Sequence, residues 1–302
     1  MTNAAVRQQL LSGNDPTFIS GFAGAVFLQP LDLLKTRIQQ GDSAGSSSNS
    51  RNTTLIWRTT HDIIKQDGIK GLWRGTAATL VRNVPGVALY FTSLTHLRSV
   101  MANSPSFSVQ EITTKDGVKT VLPKLTSQGN LIAGAAARVG VGFLLNPFSV
   151  LKARFESELH AYKSLSGSLL SMARMGPSEL MRGFVASSLR DAPYSGLFVV
   201  IYEAVKRESS NAYATSIHGF SAASAGAIAT MVTHPFDVIK TKMQVRSEER
   251  YRGFASTVSR TWQQRGAAGF FDGASLRMSR KILSSVIGWA IFEGMLLFLQ
   301  KP

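Results

Sequence analysis

The sequence predicts an all-α membrane protein built from six long helices in three repeats, with a short surface helix in each repeat. Three observations predict it. A proline-led motif occurs as "PLDLLKTR" from Pro30, "PFSVLKAR" from Pro147 and "PFDVIKTK" from Pro235, which divides the 302 residues into units of roughly one hundred. A second marker keeps step with the first: "DGIKGLWRG", "MGPSELMRG" and "RGAAGFFDG" end at Gly75, Gly183 and Gly273, which lie 45, 36 and 38 residues after those prolines. Finally, Ser209 to Phe236 is a run of 28 residues without Asp, Glu, Lys or Arg, and a helix of ~20 apolar residues spans a bilayer.

The repeats are expected at 15–102, 125–210 and 214–301. Each opens with a long helix carrying the proline near its C-terminal end. A polar connection follows, then a short amphipathic stretch, then a second long helix. In the first repeat the connection is the Gly/Ser-rich "GDSAGSSSNS" at 41–50, a flexible linker by composition. The amphipathic stretches are "LIWRTTHDIIKQDG", "YKSLSGSLLSMARMG" and "FASTVSRTWQQRG", with apolar residues three or four apart and basic residues between them; this pattern predicts helices lying along a membrane surface. Nineteen residues beyond each marker glycine stand Leu94, Tyr202 and Phe292, in the second long helices. "SPSFSVQEITTKDGVKTVLP" at 104–123 is an exposed loop joining the first two repeats.

The proline motif places an acid two residues on, a base at five and a further polar residue at nine. That spacing puts Asp32, Lys35 and Gln39, and likewise Asp237, Lys240 and Gln244, in one stripe on one helical face. Proline removes a backbone hydrogen bond and bends the helix just ahead of the stripe. Three bent helices can then converge so that an acid of one repeat meets a base of the next. In the second repeat Ser149 stands where the acid would be, with Lys152 as the base and Glu156 at the ninth position.

Composition narrows the chemistry. The net charge of +15 calls for an anionic partner. Cysteine is absent, which excludes disulfides and thiolate chemistry. The five histidines are scattered without a metal-ligand spacing, so no metal and no cofactor is expected. A basic nucleic-acid-binding protein is the remote alternative, since an exposed cationic face would give the same charge.

In these motifs the chain resembles the mitochondrial carrier family, from about Thr17 to Leu299. The resemblance implies a monomeric inner-membrane transporter with pseudo-threefold symmetry, working by alternating access, its termini facing the intermembrane space. It implies a small-molecule substrate and contacts with membrane lipids, cardiolipin among them, and no nucleic acid. It assigns Asp32, Lys35, Gln39, Lys152, Asp237, Lys240 and Gln244 to a matrix gate, with Asp32 facing Lys152, Asp237 facing Lys35, and Lys240 left without an acid at Ser149. It assigns Arg98, Tyr202, Glu203, Lys206 and Glu293 to a cytoplasmic gate, in which Glu293 and Arg98 form the one intact pairing across helices.

Between the gates the resemblance places the substrate. Seven residues after each marker glycine come Arg82, Arg190 and Arg280, followed by Asn83, Asp191 and Lys281. A guanidinium forks onto a carboxylate or phosphate. Adjacent Arg190 and Asp191 offer a cation and an anion to the two ends of an amino acid, or form an internal pair that steadies the helix. Tyr194 lines the same level. Arg138 adds charge to the cavity or braces Asp191. "LQPLDLLKTRIQQ", "GAAARVGVGFLLNPFSVLKARFE" and "SLRDAPYSGLF" are similar to the glycine-carrying branch of the family linked to haem biosynthesis, which implies glycine as cargo. The excess of positive charge leaves a small carboxylate or phosphorylated anion as the alternative.

Overall fold

The computed structural model describes residues 16–41, 52–104, 125–157, 159–160, 164–208 and 224–299. The first repeat holds α1 (Pro16–Phe27), α2 (Gln29–Gln40), the surface helix α3 (Asn52–Asp67) and the long α4 (Thr76–Ala102). The second holds α5 (Ser127–Leu144), α6 (Asn146–Glu156), α7 (Leu165–Arg174), the single turn α8 (Pro177–Leu180) and the long α9 (Phe184–Glu208). The third holds α10 (224–232), α11 (His234–Val245), α12 (Phe254–Arg265) and the long α13 (Ala274–Leu299). The chain is an all-α membrane protein of three repeats.

Each proline-bearing helix is broken rather than gently curved. The breaks fall at Leu28 (φ −96°, ψ 0°), Leu145 (−95°, 3°) and Thr233 (−89°, 1°), three nearly identical conformations in the sparsely populated bridge between helix and strand. The proline follows two residues later, inside the first turn of the second segment, where its missing N–H leaves no bond unmade. Across the second break α5 and α6 are bent by 66°.

The residue just before each proline explains how the break is held. Gln29, Asn146 and His234 are all buried. Gln29 Nε2 donates to Arg74 O at 3.0 Å, and Asn146 Nδ2 to Arg182 O at 3.3 Å. His234 Nε2 lies 3.1 Å from Asp272 O. Arg74, Arg182 and Asp272 each immediately precede a marker glycine. Three different side chains thus make the same tie from the break to the start of the long helix, satisfying a carbonyl that burial would otherwise leave unpaired.

The marker glycines have two reasons to be glycine. Their φ values are +90°, +69° and +73° at Gly75, Gly183 and Gly273, a left-handed region that side chains disfavour. They also face the second segment of the following repeat: a Cβ at Gly183 would lie 2.9 Å from Gln244 Cγ, and one at Gly75 3.1 Å from Glu156 Cγ. Gly273 is roomier, at 3.5 Å from Gln39 Cγ. From these glycines α4, α9 and α13 run along α6, α11 and α2 of the next repeat, while α2, α6 and α11 touch one another pairwise. The repeats close into a ring, shut at the end where the three short segments meet.

Small apolar cores brace that closed end. Leu33, Leu34 and Ile38 of α2 pack with Ile63 of α3 and Leu276 of α13. Val150, Leu151 and Phe155 of α6 pack with Met172 of α7 and Ala78 of α4. Ile239 and Met243 of α11 pack with Ala186 of α9, with Phe254 and Val258 of α12 against them. Each core joins a short segment, its own surface helix and the long helix of the preceding repeat. Truncating a fully buried member such as Leu33 to alanine costs ~2–5 kcal/mol.

Among the described residues no single helix is long and apolar enough to cross a membrane, and one bent pair, Gln128–Leu144 with Asn146–Glu156, passes that test. Broken helices and arginine-bearing long helices account for this: each proline-bearing helix is split into two segments, and Arg82, Arg190 and Arg280 of the long helices line a cavity. Of the uncharged run 209–236, residues 209–223 lie outside the described part; 224–232 are helical and the break at Thr233 ends them.

Candidate functional site

The closed end is a ring of charge. Lys35 Nζ lies 2.5 Å from Asp237 Oδ2, and Lys152 Nζ 2.7 Å from Asp32 Oδ2. Both pairs join different repeats, and both aspartates are buried. Gln39 Nε2 donates to Asp237 Oδ2 at 3.3 Å and to Asp272 O at 3.3 Å, while Thr241 Oγ1 donates to Gln39 Oε1 at 2.7 Å. The glutamine therefore ties the pair to the start of α13. Gln244 donates to Arg182 O and to Ser149 Oγ, both at 3.4 Å.

At the third such position Glu156 stands where its counterparts are glutamines, and its bonding is reversed. It accepts from Gln29 Nε2 at 3.1 Å and from Thr36 Oγ1 at 2.7 Å, and lies 3.5 Å from Lys152 Nζ. Lys152 thus bridges two carboxylates.

Two of the three symmetry-related arginines hold the ring from above. Arg190 of α9 donates from its NH1 group to Asp237 Oδ1 at 2.8 Å, and Arg280 of α13 pairs with Asp32. Each complete corner is therefore an aspartate clamped between a lysine of one neighbouring repeat and an arginine of the other. Arg190 also grips Asp191 in a fork, Nε to Oδ1 at 2.7 Å and NH2 to Oδ2 at 3.0 Å. The internal Arg190–Asp191 pair is thus present, with a further bond to the ring. At the third corner Arg82 and Lys240 have no acid within ion-pair reach among the described residues; Arg82 touches only Asn83 Oδ1, at 3.4 Å.

Above the ring lies a cavity of about 320 Å³ lined by nine Lys or Arg and four Asp or Glu side chains. Beside it, a space of about 410 Å³ between α4 and α5 is more apolar, with Val87, Tyr90, Phe91, Val141 and Leu145 in its wall. Arg138 lines both spaces, and its guanidinium sits 4.8 Å over the Tyr90 ring. That contact, rather than a brace on Asp191, is what the structure shows for Arg138. Lys281 lies 5.1 Å over the Tyr194 ring. The Tyr194 hydroxyl is buried without a partner among the described residues.

Comparison with known proteins then gives the chain its place. The sequence matches the "Mitochondrial carrier protein" family over residues 8–105, 123–213 and 211–302. The chain belongs to the mitochondrial carrier family. It is similar to proteins named mitochondrial glycine transporter: 61% identical to one from Laccaria bicolor over 98% of each chain. To one from Mycosarcoma maydis it is 40% identical over 91% of this chain and 81% of the relative. To one from Coccidioides immitis the identity is 38%, over 95% and 91%.

This carrier also uses residues that the motif spacing did not single out. Arg277, four residues after Gly273, lines the cavity and donates to Thr233 Oγ1 at 3.3 Å. It shares a helical face with Arg280 and Lys281, which was its only signal. The second bases of the first two motifs, Arg37 and Arg154, lie behind the ring. Arg154 is fully buried; its Nε donates to Gln244 O at 3.1 Å, and its NH2 group lies 2.5 Å from Glu179 Oε2. Arg37 Nε donates to Glu156 O at 3.4 Å. These arginines cap the last turn of the next repeat's short segment. At the opposite end Arg98 is described, with its buried Nε unpartnered. The side chains of Tyr202, Glu203, Lys206 and Glu293 lie outside the described residues.

Proposed function

We propose that this carrier brings glycine across the mitochondrial inner membrane into the matrix by alternating access, supplying the 5-aminolevulinate step of haem synthesis. The observation that carries the proposal is the Arg190–Asp191 pair at the floor of an open cavity, bonded directly to the ring. The names of the relatives support the same cargo. The ring acts as the matrix gate and is shut in this state. Tyr202, Glu203, Lys206, Arg98 and Glu293 form the cytoplasmic gate, with both termini on the intermembrane-space side. The chain works as one polypeptide, its surface helices in contact with membrane lipids, cardiolipin among them.

The chemistry is exchange of partners. A bound zwitterion sets its carboxylate against guanidinium and its ammonium against Asp191. Drawing Arg190 away from Asp237 leaves that aspartate held by Lys35 and Gln39 alone, so cargo binding loosens the gate beneath it. Only interactions that differ between the two states can shift their populations. Arg82, Asn83, Tyr194, Arg280, Lys281 and Arg138 complete the binding surface.

A second reading, transport of a small carboxylate or phosphorylated anion, is favoured by the excess of bases in the cavity wall. Uptake by reconstituted liposomes separates the two. Wild-type protein is expected to take up labelled glycine, and Asp191→Asn to lose most of that uptake because the ammonium loses its counter-charge. Protein that moves no glycine in either direction but does move an organic or phosphorylated anion would refute the glycine assignment.

A further inference from the structure

The ring has three corners and the chain fills two of them. At the first, Asp32 is held by Lys152 and Arg280; at the second, Asp237 is held by Lys35 and Arg190. In each case the lysine comes from the following repeat's short segment and the arginine from the preceding repeat's long helix. The same rule applied to the third corner converges Lys240 of α11 and Arg82 of α4 on Ser149 of α6. The cations are there and the carboxylate is not.

Among the described residues the empty corner is not filled from elsewhere. Lys240 is 7% exposed, yet no acid lies within ion-pair distance of it among the described residues. Arg190, Arg82, Asp191 and Asp237 are the charges that act on it, both acids from beyond ion-pair distance. Arg82 Nε is buried without a hydrogen-bond partner, and so is the hydroxyl of Ser187, itself 8% exposed. Ser149 Oγ is occupied only by the long 3.4 Å bond from Gln244. Lys240, Arg82, Ser149 and Ser187 all line the 410 Å³ space beside the main cavity. Leaving the buried Lys240 and the half-buried Arg82 without a directly paired acid is costly, and unpaired buried hydroxyl and guanidinium N–H groups add to that cost.

We propose that the third corner is a carboxylate-binding site, in which a small external carboxylate lies between Lys240 and Arg82 in the place an aspartate would occupy, with the Ser149 and Ser187 hydroxyls as further donors. The site stands whether that carboxylate arrives on the carried amino acid or as a free small acid. A free acid bound there makes all three corners alike and closes the gate by three ionic links instead of two. The position of Asp191 at the edge of the same space lets a zwitterion place its ammonium there.

The test uses the purified full-length protein in detergent, with thermal unfolding followed in acetate, in chloride, in glycine, and in a bulky organic sulfonate at matched ionic strength. Acetate is expected to raise the midpoint of the wild type above the sulfonate control by several degrees. Ser149→Asp supplies the missing carboxylate and is expected to raise the midpoint without ligand and to abolish the acetate shift. Lys240→Gln, which removes a cation without adding bulk, is expected to lose the shift as well. An acetate shift exceeding the chloride shift marks recognition of the carboxylate. A glycine shift that vanishes in Ser149→Asp marks the cargo as its source, while a glycine shift that survives marks a free acid. No acetate shift in the wild type, equal shifts with acetate and chloride, or an undiminished acetate shift in a folded Ser149→Asp or Lys240→Gln variant would overturn the site. None of these results depends on whether glycine is transported.

Discussion

Asp237 carries more of the ring than any other residue, and reversing its charge relationship with Lys35 gives the sharpest test of how the gate is held. Its Oδ2 takes Lys35 at 2.5 Å and Gln39 at 3.3 Å, its Oδ1 takes Arg190 at 2.8 Å, and the side chain is 1% exposed. Replacing Lys35 by aspartate sets two carboxylates together in a mostly buried site, and replacing Asp237 by lysine leaves three cations there. Removing one partner from a buried pair costs ~3–5 kcal/mol, which is roughly two to three and a half decades in the gate equilibrium. Either single change should therefore abolish most uptake by proteoliposomes. The double variant Lys35→Asp/Asp237→Lys restores the pair but leaves the ammonium introduced at 237 facing Arg190, so rescue should be partial. Adding Arg190→Gln should improve the closed gate further, read as a higher unfolding midpoint, while costing cargo binding. A double variant no better than either single one, with all of them expressed and inserted, would refute the pairing.

Two further outcomes follow from the geometry. Gly183→Ala forces a Cβ to 2.9 Å from Gln244 Cγ and 3.2 Å from Lys240 O at a φ of +69°, so its unfolding midpoint should fall well below that of Gly273→Ala, whose new Cβ meets nothing closer than 3.5 Å; equal losses would show that backbone conformation alone sets the cost. Outside the membrane, burial together with Arg154 and Arg182 pushes His160 down to about 4 from an ordinary 6.5. The unfolded chain then binds the extra proton between those values, so stability is full above pH 6.5 and declines as pH falls towards 4, and His160→Gln should lose less of its unfolding midpoint than the wild type on going from about pH 7 to about pH 5.

What could be read from the sequence was whatever recurs. The helix bends at Pro30, Pro147 and Pro235 and the marker glycines Gly75, Gly183 and Gly273 appear in every repeat, and the stripe of Asp32, Lys35 and Gln39 returns whole as Asp237, Lys240 and Gln244. The tie across each break was hidden because glutamine, asparagine and histidine serve it in turn. The arginine clamps were hidden for a different reason. Arg190 and Asp237 sit 47 residues apart on elements of different repeats, and no helical periodicity connects them. Arg190 therefore looked like a partner for cargo or for Asp191 alone, when it is also bonded to the ring. Glu156 was visible as an odd residue in a glutamine's place, but that it would accept where the others donate depends on Gln29 and Thr36 arriving from the first repeat.

Each lysine and arginine that clamps an aspartate of the ring comes from another repeat, and this governs the order in which the molecule can be made. When the first repeat has entered the membrane, Lys35 and Gln39 still wait for Asp237, some two hundred positions further along the chain. Asp32 waits for Lys152, and the buried Arg154 waits for the last carbonyls of α11. A nascent fragment of one or two repeats thus exposes the very charges that the finished protein hides, and lipid cannot neutralise them. Insertion has to keep these groups hydrated until the final repeat arrives, so assembly is cooperative over the whole chain rather than stepwise along it.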